Sequence, residues 1–202
     1  MVGPALAKPI MKRERSTSAR PAATGPWVID TRDIGRRPGT SRRYHREAAV
    51  EHELGFEAVI VVPKGSTVTF DALAESVVEG VLVSGTAAAH TEGECSRCLD
   101  PLTDTVEVEF TELYAYPDSL TEATTDEDEI YRVTDDIIDL EPVIRDAIVL
   151  ALPQAPLCTP DCPGLCPGCG GRRAELGPDH GHETIDPRWA GLVDRFDGAR
   201  EE

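Results

Sequence analysis

The six cysteines carry the clearest chemistry in this sequence, and they lie in two stretches, 95–98 and 158–169. Each stretch contains a C-x-x-C pair, Cys95 with Cys98 and Cys166 with Cys169. A C-x-x-C turn presents two thiolates to one metal ion, and two such turns complete a tetrahedral four-sulfur site. Thiolates select a soft cation, for which Zn²⁺ is the usual choice. The sequence therefore predicts a structural zinc site formed by Cys95, Cys98, Cys166 and Cys169.

Two further cysteines, Cys158 and Cys162, lie just before the second C-x-x-C pair and are also candidate metal ligands. They are spare in the four-sulfur arrangement, and His180 with His182 could join them in a second or alternative site. The competing interpretations are that these histidines are solvated and that the cysteines are reduced, buried thiols. All six cysteines and the histidine pair therefore stay under consideration.

The second pair has the shape of a zinc knuckle, Cys166-Pro-Gly-Cys169-Gly170. Proline makes the turn rigid, and glycine permits a positive φ, so that backbone N–H groups can face the sulfurs. A closed four-sulfur site leaves no position for a reactive water. The sequence also contains no nucleophile elbow, glycine-rich phosphate loop or His-Glu-x-x-His helix. These observations predict a protein that is not an enzyme and that has no small-molecule substrate.

Alternating and β-branched residues on both sides of the first C-x-x-C pair predict a long antiparallel hairpin. The first arm covers 77–89, where Gly80 and Gly85 indicate a bulge or a close backbone approach. In the return strand Val106, Val108 and Phe110 alternate with polar residues. Cys95 and Cys98 are therefore expected at the tip of this hairpin.

Residues 139–153 give the strongest helix prediction. Asp139 is the predicted N-cap, Pro142 fits the first turn and Pro153 ends the helix. An apolar stripe is expected to cover one face of the sheet; it consists of Leu140, Ile144, Ala147, Ile148 and Ala151. The predicted fold class is α+β: mainly antiparallel sheet with a long hairpin, one main covering helix and a Cys-rich C-terminal zinc-knuckle segment.

The remaining chain divides into three predicted regions. Residues 1–25 are predicted to be a disordered basic N-terminal tail, although an organellar targeting segment has a similar composition. Residues 26–157 form the α+β domain, with short strands at 27–30 and 57–63 and an acidic loop at 118–136. Residues 158–202 form the Cys-rich segment and a C-terminal helix at 186–196 that packs on the same domain.

Charge is distributed unevenly along the chain. Residues 1–50 contain 11 Lys and Arg against 4 Asp and Glu, a net charge of +7, whereas the other residues contain 9 against 33, a net charge of −24. The acidic body is expected to repel nucleic acid, so RNA contact is assigned to the basic arm. The candidate RNA-binding residues are Arg36, Arg37, Arg42 and Arg43, with Tyr44 available for base stacking. The alternative is that the arm pairs with the acidic body.

No secretory signal or membrane-spanning stretch is expected in the sequence, which predicts a cytoplasmic protein with reduced cysteines.

Three motifs in order resemble the YceD-like family of large ribosomal RNA subunit accumulation proteins, of the actinobacterial type. They are the strand at 79–86 leading to Cys95 and Cys98, the helix motif L-E-P-x-x-R-D-A at 140–147, and the run 162–170 followed by D-P-R-W at 186–189. The resemblance implies a non-enzymatic ribosome-biogenesis factor that supports accumulation or processing of large-subunit ribosomal RNA. Many relatives carry a C-x-C pair at the position of His180 and His182, which makes these histidines stronger candidates for metal binding.

The partners implied are large-subunit ribosomal RNA or its precursor particle and ribosomal proteins. The alternative function is a zinc-stabilised protein-interaction adaptor with no direct RNA contact.

Overall fold

The computed structural model describes residues 24–117, 119–126 and 130–182. In these residues seven strands form one mainly antiparallel sheet, two further strands form a ribbon, and there are two α-helices. The ribbon consists of β1 (Val28–Asp30) and β9 (Ile137–Asp139). The sheet contains β2 (Ser41–Ala49), β3 (Leu54–Phe56), β4 (Ile60–Val62), β5 (Thr67–Ser76), β6 (Gly80–Glu94), β7 (Pro101–Ala115) and β8 (Tyr131–Arg132), and the helices are α1 (Leu120–Thr124) and α2 (Glu141–Ala151). This architecture confirms the predicted α+β class.

The central feature is the long hairpin of β6 and β7, which confirms the prediction from sequence. The two strands pair over 15 residues each, from Gly80 opposite Ala115 to Glu94 opposite Pro101. On its other side β6 pairs with β5 and then with β4, so it lies in the interior of the sheet along most of its length. The tip of the hairpin therefore extends to residues 95–100, where the first C-x-x-C pair lies.

Gly80 and Gly85 allow the backbones of neighbouring strands to approach closely. A Cβ at Gly85 would lie 2.2 Å from the carbonyl oxygen of Asp71, and one at Gly80 would lie 2.1 Å from that of Tyr114. The register of β6 is continuous through both glycines. Close approach, rather than a bulge, is thus the reason for glycine in this strand.

Helix α2 starts later than the sequence predicts. Asp139 is the last residue of β9, and the N-cap position is taken by Leu140, which supplies no side-chain acceptor. The carboxylate of Asp139 still accepts a hydrogen bond from the backbone N–H of Glu141 at 3.0 Å. Predicting Asp139 as the N-cap was therefore wrong by one residue, although its side chain satisfies a free amide of the first turn.

The buried stripe of α2 includes Leu140, Ile144 and Ile148, as predicted, and also Val143. Ala151 is exposed, which contradicts its predicted place in the stripe. The helix lies across β7, and this turns Val143 towards the sheet.

The core fills the space between α2, the ribbon and one face of the sheet. Phe70 of β5 is 1% exposed, and the indole of Trp27 stacks on its ring with the centroids 5.5 Å apart. The hydroxyl of Tyr114 donates to the carbonyl oxygen of Asp139 at 2.7 Å, which connects β7 to the ribbon. Burial of this hydroxyl raises the pKa of Tyr114 far above its ordinary value.

Several elements were not anticipated from the sequence. Strand β2 begins in the basic arm, where no strand was predicted, and β3 was not predicted either. The acidic segment at 118–136 contains α1 and β8 instead of a continuous loop, and Ser119 caps α1 by accepting from the N–H of Glu122. The predicted helix at 186–196 and nearly all of the predicted tail at 1–25 lie outside the described residues. No helix in the described ranges has the length and apolar character needed to cross a membrane.

The packing of α2 on the sheet yields a stability prediction. Replacing Ile144, which is fully buried, with Ala is expected to lower the free energy of unfolding by about 2–5 kcal/mol, because it leaves a cavity in the core. Leu150→Ala on the same helix is the matched control, since Leu150 is 86% exposed. Urea denaturation of both variants checks the prediction, and equal losses would contradict the described orientation of α2.

Candidate metal centres

The first candidate centre lies at the tip of the β6–β7 hairpin. Cys95 and Cys98 come from the turn between these strands, and Cys158 and Cys162 come from the segment that follows α2. All four sulfurs lie within 4.8 Å of one another. The Sγ atoms of Cys95 and Cys162 are 3.7 Å apart, and so are those of Cys98 and Cys158. We refer to these four residues as the hairpin site.

The second candidate centre lies entirely within the C-terminal segment. Cys166, Cys169, His180 and His182 place their ligand atoms within 4.8 Å of one another. The Sγ atom of Cys169 is 3.5 Å from Nε2 of His180, and this nitrogen is 3.1 Å from Nε2 of His182. We refer to these four residues as the knuckle site.

This grouping corrects the sequence-based arrangement. The two C-x-x-C pairs do not share one site, so the predicted set of Cys95, Cys98, Cys166 and Cys169 is wrong. The histidines do join a cysteine pair, but it is the C-x-x-C pair and not Cys158 with Cys162.

The path of the chain explains the correction. The N–H of Ser96 donates to the carbonyl oxygen of Pro156 at 2.8 Å, so the chain leaving α2 meets the hairpin tip immediately before Cys158. Beyond Cys162 the N–H of Leu165 donates to the carbonyl oxygen of Arg97 at 3.1 Å. Cys158 and Cys162 therefore lie at the hairpin tip before the chain reaches the second C-x-x-C pair. The second C-x-x-C pair therefore finds its partners further along the chain.

The separations of the donor atoms fit tetrahedral zinc. With Zn–S bonds of about 2.3 Å and Zn–N bonds of about 2.0–2.1 Å, a regular tetrahedron places two sulfurs about 3.8 Å apart, sulfur and nitrogen about 3.6 Å apart, and two nitrogens about 3.4 Å apart. In the hairpin site two sulfur pairs are 3.7 Å apart, and in the knuckle site one sulfur-to-nitrogen separation is 3.5 Å and the nitrogens are 3.1 Å apart. Both clusters could thus hold a metal ion, one with four sulfurs and one with two sulfurs and two nitrogens.

The two C-x-x-C turns share one backbone geometry despite their different sequences. In the hairpin site the N–H of Leu99 donates to the carbonyl oxygen of Cys95 at 2.9 Å, and in the knuckle site Gly170 donates to Cys166 at 2.8 Å. Both donors have a left-handed backbone, with φ of 61° at Leu99 and 70° at Gly170. Glycine adopts this conformation readily, whereas leucine adopts it at an energetic cost.

The turns also stabilise negative charge on their first sulfur. Backbone N–H groups of Cys158 and Cys98 lower the pKa of Cys95 to about 6. In the knuckle site the N–H groups two and three residues further on lower the pKa of Cys166 to about 6 in the same way. Burial raises the pKa of Cys162. Each cluster therefore contains one thiol that ionises readily and that favours a cation at its centre.

Three polar residues that the sequence analysis did not single out hold the sites together. The guanidinium of Arg97 donates to the carbonyl oxygen of Cys162 at 2.9 Å, within the hairpin site. The carboxylate of Asp100 lies 3.4 Å from the sulfur of Cys98 and also accepts from Arg172 at 2.7 Å. Arg172 belongs to the turn of the knuckle site, so this ion pair joins the two sites. No spacing rule in the sequence indicates such a contact.

Gly168 provides the space that the second histidine needs. A Cβ at this position would lie 2.5 Å from Cδ2 and 2.7 Å from Cγ of His182. Any side chain would therefore displace the imidazole from the knuckle site. The glycine inside this C-x-x-C pair is explained by ligand placement as well as by turn formation.

The candidate RNA-binding arginines lie along one edge of the sheet, away from both clusters. Arg36 and Arg37 precede β2, and Arg42 and Arg43 lie on it. Arg36 forms an ion pair with Asp136 and Arg42 one with Asp33, both at 3.0 Å and exposed to solvent.

Tyr44 is 9% exposed, between the guanidinium groups of Arg42 and Arg46, which lie 5.7 Å and 5.2 Å from the centre of its ring. It is a core residue, and its predicted availability for base stacking is wrong.

The two clusters predict a metal content. Purified protein is expected to contain two metal ions per chain, and Cys158→Ser and Cys169→Ser are each expected to lose one, because each removes one donor from a four-donor site. Elemental analysis of the purified variants measures this, with Asp161→Asn as the control in the same segment.

Retention of the full metal content by Cys158→Ser would contradict the hairpin site. Reconstitution of metal-free protein with Co²⁺ adds an independent measurement, since the absorption spectrum distinguishes four sulfurs from two sulfurs with two nitrogens.

The left-handed backbone conformation of Leu99, next to the hairpin site, predicts a stabilising substitution. Leu99→Gly is expected to raise the free energy of unfolding of metal-saturated protein by about 1 kcal/mol, since it relieves the left-handed strain. Leu99 is 59% exposed, so little buried surface is lost. Leu99→Ala keeps the Cβ and is expected to give no comparable gain. If Ala stabilised as much as Gly in denaturant titrations, strain would not be the reason.

The chain is similar to one described protein family and to uncharacterized proteins of mycobacteria. The family model described as "Large ribosomal RNA subunit accumulation protein YceD" matches residues 83–194, more than half of the chain. The uncharacterized protein Rv2926c of Mycobacterium tuberculosis is 49% identical over 92% of this chain and 88% of its own length. The uncharacterized protein ML1660 of Mycobacterium leprae is 41% identical over 91% of this chain and 84% of its own length. No solved structure matches significantly. The chain therefore belongs to the YceD family.

Proposed function

We propose that this protein is a non-enzymatic, zinc-stabilised, cytoplasmic factor in the biogenesis of the large ribosomal subunit, where it supports accumulation and processing of the ribosomal RNA. The observation that carries the proposal is the family match over residues 83–194, whose description refers to this RNA. That region includes all but the first three residues of the β6–β7 hairpin and both candidate metal centres.

The proposed role of zinc is structural. Each cluster supplies four protein donors, which leaves no coordination position for a substrate or a reactive water. When bound, the ion neutralises the thiolates and links chain segments that are distant in sequence. In the hairpin site the four cysteines hold the hairpin tip against the segment that follows α2. Arg97 supports this contact by donating to Cys162, and the ion pair of Asp100 with Arg172 connects the hairpin site to the knuckle site.

The proposed RNA surface is the edge of the sheet at β2. In the described part of the chain Arg37 and Arg43 form no ion pair, and those of Arg36 and Arg42 are exposed. Exposed ion pairs contribute little to stability, so RNA phosphates can replace these carboxylates. The four guanidinium groups would then contact the RNA backbone without reading its sequence.

A protein-interaction adaptor without RNA contact is the second candidate function. It is supported by the net charge of −24 outside residues 1–50 and by the pairing of two arm arginines with Asp33 and Asp136. Burial of Tyr44 also removes the aromatic side chain that would have stacked on a base. In this alternative the acidic body binds basic ribosomal protein.

Sedimentation tests the proposed function. Tagged protein is expected to comigrate with precursors of the large subunit on a sucrose gradient, and deletion of the gene is expected to lower the amount of large-subunit RNA. Absence from every precursor fraction together with normal RNA levels would refute a role in ribosome biogenesis.

Replacing the four arm arginines with Gln separates the two candidates. If they contact phosphates, the slope of log K against log salt for binding to single-stranded RNA is expected to fall by about 3, because about 0.7 counterion is released per phosphate contacted. Arg145→Gln on α2 is the control for loss of an exposed arginine. Unchanged RNA crosslinking in the variant with four replacements would favour the adaptor.

A further inference from the structure

The long strand β7 leaves most of one edge unpaired within the described residues. It pairs with β6 along its whole length, but on its other side it pairs only with β8, at Tyr114 and Ala115. The backbone groups that point away from β6 before Tyr114 therefore face no neighbouring strand among residues 24–117, 119–126 and 130–182. Such an edge is a template on which another chain can add a strand.

Acidic side chains cap this edge at two places. The N–H of Thr105 donates to the carboxylate of Asp104 at 2.8 Å, and the N–H of Leu113 donates to that of Glu112 at 3.1 Å. Every second backbone N–H along a strand points to the same edge. The N–H groups of the odd-numbered residues between Thr105 and Leu113 therefore also point away from β6. These residues are Glu107, Glu109 and Thr111, and in the described part of the chain no side chain accepts from their N–H groups. Between the two capped positions the edge thus has a short open window.

This window borders a groove between β7 and α2. The groove has a volume of about 780 Å³ and includes residues 107–112 of the strand. Its apolar surface comes from Val108 and Phe110 on β7 and from Ala147 and Leu150 on α2. Leu150 is 86% exposed, the highest exposure among the large apolar side chains that are described. An added strand would therefore find both backbone partners and apolar contacts for alternate side chains.

Charge selects the occupant of the groove. Glu107, Glu109, Glu112 and Asp146 lie around it. Asp146 forms an ion pair with Arg145, so the three glutamates of β7 give the groove its acidic character. A second copy pairing through the same edge would bring the glutamates of two β7 strands together, which is unfavourable. A segment with Lys or Arg at alternate positions would instead place cations opposite these carboxylates.

We propose that the window 107–111 of β7, together with α2, is a docking site for an extended basic segment of a partner protein, with basic and apolar residues in alternation. The segment adds a strand to β7, directs its apolar residues towards Leu150 and Phe110 and pairs its cations with Glu107 and Glu109. The inference rests on the proposed function in taking ribosomal proteins, which are rich in Lys and Arg, as the source of the segment.

Binding of a synthetic probe tests the docking site. The probe is a short, fluorescently labelled peptide of alternating lysine and valine, measured by anisotropy against the full-length, metal-saturated protein. Thr111→Pro removes one uncapped N–H from the window, and Leu150→Asp places a charge in the apolar part of the groove. Each is expected to weaken binding of the probe about tenfold, which corresponds to the loss of about one backbone hydrogen bond or one apolar contact.

Each variant has a matched control. Thr105→Pro removes an outward N–H that Asp104 already caps, and Val78→Asp introduces the same charge at a side chain that is 78% exposed between β5 and β6. Both are expected to bind the probe within about twofold of the unmodified protein, because neither position lies in the groove. Thermal unfolding measures whether all four variants are folded. If a proline variant does not fold, Leu150→Asp still tests the groove, because Leu150 is exposed and its replacement does not disturb the core.

Three outcomes would overturn the proposal. The first is equal binding of the probe to Leu150→Asp and to the unmodified protein. The second is equal binding of a peptide with the same composition but with its lysines and valines in separate blocks. The third is binding that occurs only after residues 1–23 are deleted, which would make the chain's own basic segment the occupant.

The sucrose-gradient experiment distinguishes failure of the docking site from failure of the proposed function. A chain that comigrates with precursor particles but does not bind the probe has a ribosomal role without this docking site. A chain that binds the probe but is absent from every precursor fraction has the docking site without the ribosomal role.

Discussion

The convergence of four sulfurs at the tip of the β6–β7 hairpin is the contact on which the arrangement of the described residues depends. Cys95 and Cys98 belong to the sheet, whereas Cys158 and Cys162 belong to the segment beyond α2. Their approach holds the chain after α2 against the hairpin tip. From that position the following residues form the knuckle site, and the Asp100–Arg172 ion pair then fixes one site relative to the other.

The sequence was sufficient to predict the long hairpin and helix α2, but not the grouping of the metal ligands. Alternation in Val106, Val108 and Phe110 predicted the hairpin correctly, because period-two burial is a local property of a strand. The pairing of the two C-x-x-C turns was predicted from their similarity, and similarity carries no information on distance. Which cysteines meet is decided by the backbone contacts of Ser96 and Leu165, which depend on the complete chain path.

Other differences have the same physical origin. Leu99 takes a left-handed conformation that its residue type disfavours. The backbone geometry that the first C-x-x-C turn shares with the glycine-containing knuckle was therefore not recognisable from the sequence. Tyr44 lies in a basic stretch, yet its strand position turns it into the core between two arginines. In each case tertiary contacts override what the local sequence suggests, and in the first case the exception lies at a candidate metal site.

The large separation in sequence between the two halves of the hairpin site has a consequence for synthesis on the ribosome. A nascent chain can pair β6 with β7 as soon as both have emerged, but its four-sulfur site stays incomplete until Cys162 follows. The knuckle site, whose ligands all lie between Cys166 and His182, is completed last and from local residues alone. The ligand set at the hairpin tip is thus completed only after α2 has been synthesised, when the chain of both the sheet and the helix is already present.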